Sequence, residues 1–135
     1  MNPNTQINLL FKSKKEYAPL FIRIMAGFHL IYGVQDNVFS WDRMLEFERF
    51  LNAHSFPFPL VSAIASVYAQ LICGMLFIVG LFTRTAALIM VFNFIVAILT
   101  IHIGDAYPGV FPAIAMLSNS LFLLFNGAGK WAIDK

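Results

Sequence analysis

The chain of 135 residues is 59% hydrophobic and only 12% charged, with a net charge of +2 and a mean hydropathy of +0.74. Globular domains are nearer half apolar and a quarter charged, and a domain this small has too little interior to hide so many apolar side chains from water. The bilayer must be its solvent. The small positive balance points away from a nucleic-acid partner. The single cysteine, Cys73, excludes an internal disulfide and any paired-cysteine redox or metal motif.

Four apolar runs, residues 18–38, 60–82, 85–103 and 111–126, approach the length of about 20 residues that a helix needs to cross a bilayer. They are apolar on consecutive positions, whereas barrel strands alternate with period two. The expected fold is an all-α membrane protein. A cytoplasmic tail over 1–17 precedes one domain over 18–134, an antiparallel four-transmembrane-helix bundle with a short amphipathic helix in its first outer loop. No soluble domain fits in what remains.

In chain order, the tail is polar apart from Ile7, Leu9, Leu10 and Phe11, just before Lys12, Lys14 and Lys15. This stretch reads as a short interfacial turn beside anionic headgroups or as a fraying end. The first run is too long for the apolar region of a signal peptide and lacks a small-x-small cleavage site before Trp41, so it reads as an uncleaved helix. Ser40 then suits an N-cap for a helix over Trp41–Ala53. Its Asp42, Glu46 and Arg49 share one face, with Trp41, Met44, Leu45 and Leu51 towards the other, so it lies on the outer membrane surface or caps the bundle. Phe56-Pro57-Phe58-Pro59 breaks that helix and starts the second run. Thr83-Arg84-Thr85 reads as the connection between the second and third runs. Pro108-Gly109 reads as a turn before the fourth, which stops at Asn126-Gly127-Ala128-Gly129.

Orientation follows from the basic residues. Lys12, Lys14, Lys15, Arg84, Lys130 and Lys135 fall on one side of a chain that crosses four times. Arg43 and Arg49 fall on the other, with Asp36, Asp42, Glu46, Glu48 and Asp105. The positive-inside rule places both termini in the cytoplasm.

Polar residues inside the runs are expected to face the bundle interior, because hydrocarbon offers them no partner. His29, Gln70, Asn93 and Asn119 fall at similar depths and would form a polar belt. Each has a structural reading, as hydrogen-bonding glue between helices, beside a functional one. His29 is a proton carrier, a hydrogen-bond partner for a quinone carbonyl, or a helix-to-helix contact. Arg23 either snorkels to the headgroups or anchors an anion or carbonyl inside the bundle. The candidate ligand residues are Arg23, His29, Gln70 and Asn119. No metal site is expected: His54, His102 and Asp105 do not form a convergent set. Cys73 reads as a small core residue.

Three segments resemble the DoxX family. The first run holds Arg23-x3-Gly27-x5-Gly33. The second and its exit hold Gln70, Gly74 and Gly80-Leu-Phe-Thr83-Arg84. The C-terminus reads Gly127-x-Gly129-x4-Asp134. The resemblance implies a four-helix protein of the bacterial inner membrane. It also implies kinship with small subunits of quinone-linked oxidoreductases, such as thiosulfate:quinone oxidoreductase, and with partners of thiol or oxidative-stress enzymes. Relatives often carry glutamate where this chain has Gln70, and a lysine where it has Val34-Gln35-Asp36. Gln70 can hydrogen-bond a ligand carbonyl but has no titratable proton.

Three functions compete. The leading one is a membrane subunit of an oxidoreductase system that holds a quinone-like lipid. No flavin or redox-metal motif is recognisable in the chain, so a protein partner would supply the electron-transfer cofactor. The second is a structural or assembly subunit, a homo-oligomer or a partner in a larger complex, docking through its aromatic outer loop. The third is a small transporter, for which the chain shows no inverted repeat.

Overall fold

The computed structural model describes residues 2–134; Lys135, counted above among the cytoplasmic basic residues, lies outside the described residues. Among these, every regular element is helical: α1 (Pro3–Phe11), a 3-10 segment (Lys12–Tyr17), α2 (Ala18–Phe39), α3 (Trp41–Ala53), α4 (Pro59–Val79), α5 (Thr83–Thr100) and α6 (Tyr107–Asn126). α2, α4, α5 and α6 have 22, 21, 18 and 20 residues. At 1.5 Å per residue they extend about 27–33 Å, the thickness of a bilayer's hydrocarbon core. All four are apolar enough to cross it. The protein is a multi-pass membrane protein built as a four-helix bundle.

α2 packs along α4 and α5 along α6. Contacts of α4 with α5 and of α2 with α6 close the bundle, and α3 lies across α2 and α4. The larger apolar core joins Leu30, Phe77, Met90, Met116 and Leu123 from all four spanning helices. A smaller one, beneath α3, joins Val34, Met44, Leu51, Ala63, Val67 and Ile101. α3 therefore caps one end of the bundle with Met44 and Leu51, while Trp41 stays exposed. Its N-cap is Ser40, whose Oγ accepts the N–H of Arg43 at 3.4 Å.

α2 and α4 meet at two glycines. A Cβ on Gly27 would lie 2.6 Å from the Gly74 carbonyl oxygen, and one on Gly74 would lie 2.9 Å from that of Gly27. Backbones approach this closely only where neither side chain intervenes, the usual device where lipid removes any hydrophobic drive between helices.

Several boundaries differ from the expected ones. The tail is helical: Asn2 Oδ1 accepts the N–H of Asn4 at 2.9 Å and Pro3 opens α1. α4 stops at Val79 because Gly80 turns left-handed (φ +70) and the N–H of Leu81 closes back on the Leu76 carbonyl at 3.0 Å. The connection is therefore Gly80-Leu81-Phe82, and Thr83-Arg84-Thr85 forms the first turn of α5. α6 starts at Tyr107 and takes Pro108-Gly109 into its first turn, where proline lacks no needed donor.

Beyond Gly127 the chain folds back as a strap across the ends of α2, α4 and α5. Lys130 N–H bonds the Glu16 carbonyl (2.8 Å), Ile133 N–H the Val79 carbonyl (3.2 Å) and Asp134 N–H the Gly80 carbonyl (2.8 Å). Arg23, fully buried, donates to the carbonyls of Lys130 (3.1 Å) and Trp131 (2.8 Å). The Asp134 carboxylate accepts the N–H groups of Phe82 and Thr83, each at 2.8 Å. It caps α5, whose own N-cap position, Phe82, has no capping side chain. Lys130 pairs with Glu16 at 3.3 Å, and Arg84 reaches the carbonyls of Phe125 (3.5 Å) and Asn126 (3.4 Å) at the end of α6. The glycines fit this closure. A Cβ on Gly129 would lie 2.6 Å from the Glu16 carbonyl, one on Gly80 would strike the Arg23 guanidinium, and Gly127 packs against the side chain of Arg84.

Burial pushes the Asp134 carboxyl upward, but the hydrogen bonds from Thr83 and Phe82 and the charge of Arg23 outweigh it and hold the group below the usual carboxylate range. A carboxylate with a lowered folded pKa stabilises fully above its unfolded value of about 3.9. That contribution is lost as the pH falls through the lower, folded value. Strap docking, followed by Trp131 emission in a Trp41→Phe background, is expected to hold at neutral pH and to weaken on acidification below about pH 4. Asp134→Asn is expected to remove that dependence and to cost about 1 kcal/mol, the usual loss for an N-cap.

The glycine crossing gives a second expectation. Gly27→Ala should destabilise the detergent-solubilised protein by about 1–3 kcal/mol in a denaturant titration, as overpacking does. Gly33→Ala, whose Cβ would meet nothing within 4 Å, should stay within about 0.5 kcal/mol.

Candidate functional site

Small residues open a cleft of about 550 Å³ in the half of the bundle nearer α3. Gly33 on α2, Ala65 and Ala69 on α4, Ala97 on α5 and Ala113 on α6 line it without filling it. Phe47 and Phe50 of α3 and Phe56 of the following loop enclose its outer end. The rim carries His29, Ile89 and Phe92, which are exposed within the spanning helices, so the cleft opens towards lipid rather than water. Its lining is chiefly apolar.

A short polar rail crosses the apolar wall. Gln70 Nε2 donates to Ser66 Oγ at 3.1 Å, and Ser66 Oγ donates to Asn93 Oδ1 at 3.0 Å. Gln70 and Ser66 sit one helical turn apart on α4, and Asn93 faces them from α5. The rail leaves one amide carbonyl, on Gln70, and one amide NH2, on Asn93, without a partner among the described residues. Flipping both amides reverses the rail's direction and leaves the same free pair, one acceptor and one donor. The His29 imidazole stands at the rim with no side-chain hydrogen bond among the described residues. At the outer mouth, His102 Nδ1 and Asp105 Oδ2 are 3.0 Å apart.

The sequence-derived candidates therefore separate. His29 and Gln70 line one cleft together with Asn93. Arg23 lies at the opposite end of the bundle, where the strap carbonyls occupy it and its Nε and Nη1 atoms are buried without partners. It neither snorkels to solvent nor reaches the cleft. Asn119 is half-buried on a flank of α6, because that helix turns Ala113, Met116, Ser120 and Leu123 inward. It lies outside the cleft lining. Ser66 escaped the sequence reading; its spacing of four from Gln70 was the available signal. The contribution of α3 had none, since nothing local shows which part of the bundle it covers. Gly27, Gly74, Gly80, Thr83, Arg84, Gly127, Gly129 and Asp134 belong to the helix crossing and the strap, while Gly33 belongs to the cleft. Among the described residues, no three histidine, cysteine, aspartate or glutamate side chains converge to hold a metal ion.

The match to known proteins follows the same helices. The family model DoxX matches residues 18–103, from the start of α2 to just beyond α5. The chain is also similar to an uncharacterized membrane protein of Mycobacterium tuberculosis. The two are 29% identical over 80 aligned positions that cover 49% of each chain. The chain thus spans about half the length of the curated relative it matches. No solved structure matches it. With a family match over most of its length and the four spanning helices described above, the chain belongs to the DoxX family of membrane proteins.

Proposed function

We propose that the protein is a small inner-membrane subunit of a redox-linked oxidoreductase system and that its cleft holds the head of a quinone-like lipid. One observation carries this reading: a lipid-facing apolar cleft that contains an unpaired amide donor and an unpaired amide acceptor. A volume near 550 Å³ lies in the range of small-molecule sites, large enough for a substituted ring and the start of an apolar tail. The Asn93 NH2 and the His29 N–H suit carbonyl oxygens, and the Gln70 carbonyl suits a hydroxyl. When bound, a quinone supplies reversible two-electron, two-proton chemistry. The chain's residues hold and orient the ring, and the apolar walls keep water away. Gln70 cannot exchange a proton at neutral pH, so its part is to hydrogen-bond the head.

Electrons must then reach the cleft from a partner protein, because the chain itself offers no recognisable redox-cofactor motif. The exposed aromatic side chains around the outer loop, Phe39, Trp41 and Phe58, suit a partner's surface. In this reading both termini face the cytoplasm, as the basic residues at the strap end favour.

The test is to purify the protein in mild detergent and quantify the quinone that accompanies it. Wild-type protein is expected to carry quinone. Gln70→Leu and His29→Ala should each lower occupancy about fivefold, the loss of roughly one hydrogen bond. Gly33→Phe should abolish it by filling the cleft, and Gly33→Ala should leave it unchanged. No quinone in the wild type, or equal amounts in all variants, would contradict the assignment. For topology, reporter fusions at both termini should be active only in their cytoplasmic form; ends on opposite faces would overturn the orientation.

A further inference from the structure

Among the described residues, α1 has no spanning helix or loop to pack on. It is nine residues long, has no buried residue, and among the described elements touches only the 3-10 segment that follows it. Ile7, Leu10 and Phe11 are 56%, 69% and 57% exposed, and with Pro3 they fall on one face at helical spacing. The opposite face carries Thr5 and Asn8 with one apolar residue, Leu9, and Asn4 and Gln6 border the stripe. A helix this short is marginal in water unless a surface buries its apolar stripe.

Charge identifies that surface. α1 contains no charged residue, and Lys12, Lys14 and Lys15 follow it directly, all exposed. None of the three forms an ion pair among the described residues. The acidic groups nearby are committed: Glu16 to Lys130 and Asp134 to the start of α5. The Lys12–Tyr17 segment joins this helix to the start of the first spanning helix, so its lysines sit beside the edge of the membrane. An apolar stripe followed by basic side chains fits an anionic leaflet, where each lysine strengthens attachment about fivefold. A second copy fits poorly, because pairing two such helices would bring two lysine clusters together.

We propose that α1 with Lys12, Lys14 and Lys15 docks on anionic phospholipid headgroups in the leaflet at the strap end. Ile7, Leu10 and Phe11 enter the headgroup–acyl boundary and the lysines bind the phosphates. This docking lays α1 along the surface by a turn at the 3-10 segment that joins it to α2. Docking is independent of the cleft, since neither α1 nor the lysines line it.

The experiment uses the full-length protein, one copy per lipid nanodisc, with deuterium uptake over residues 3–15 as the readout. Discs of phosphatidylcholine are compared with discs that also contain phosphatidylglycerol. Uptake should slow in the anionic discs. Lys12→Gln/Lys14→Gln/Lys15→Gln should weaken docking about 100-fold and return uptake to its value in neutral discs. Phe11→Ser should also restore fast uptake, and high salt should weaken protection. Protection of residues 127–134 serves as the folding control and should be the same in every variant. Equal uptake in the two lipids, or protection that survives the triple substitution, would overturn the proposal. Protection that appears only with two copies per disc would overturn it in favour of self-association.

Discussion

Hydrocarbon offers no hydrogen bonds, and this one constraint organises the molecule. Helices meet it for the interior of each span, because their backbone groups pair within the segment. The difficulty moves to the helix ends and to side chains that are polar at depth. At the end of α4 and the start of α5, the protein answers with a strap drawn from the far end of the sequence. Asp134 caps α5, and Arg23, buried in α2, gathers strap carbonyls that would otherwise face apolar surroundings. Arg23 is thus committed to holding the chain together. Both bonds come from one guanidinium nitrogen, Nη2.

The same constraint gives the cleft its meaning. At the opposite end of the bundle the rail of Gln70, Ser66 and Asn93 satisfies part of its hydrogen-bonding capacity internally and leaves one donor and one acceptor open to an apolar space. Unpaired amide groups are expensive in such surroundings, and a polar head arriving from the bilayer would pair them. Small residues serve opposite ends near one another on α2. Gly27 admits the backbone of α4 and closes the helix pair. Gly33, six residues on, faces open space and keeps the cleft from filling.

The sequence made the spans, α3 and its Ser40 cap legible, because apolar run length and capping chemistry are local properties. Helix ends were less legible. Gly80 and the return bond from Leu81 end α4 before the apolar run ends, and hydropathy alone carries no sign of that. Gln70 and His29 were visible as polar residues at depth; Gln70 lines the cleft, while His29 is exposed at its rim rather than turned into the bundle. The placement of Arg23 and Asn119 was not legible. One depends on a strap more than a hundred residues away, and the other on how α6 rotates against α5, whose apolar side chains run almost evenly around the helix. Ser66 is an ordinary small polar residue until Asn93 is seen opposite it.

The account rests on the cleft being a binding site for an amphiphile rather than a packing gap. A density map of the protein in native-lipid nanodiscs tests this most directly. The account predicts an elongated density in the cleft, with a ring-shaped head within hydrogen-bonding distance of the Gln70 and Asn93 amides and a tail leaving past Phe92. A cleft collapsed onto its own side chains, or one filled by an acyl chain with nothing polar at the rail, would contradict it.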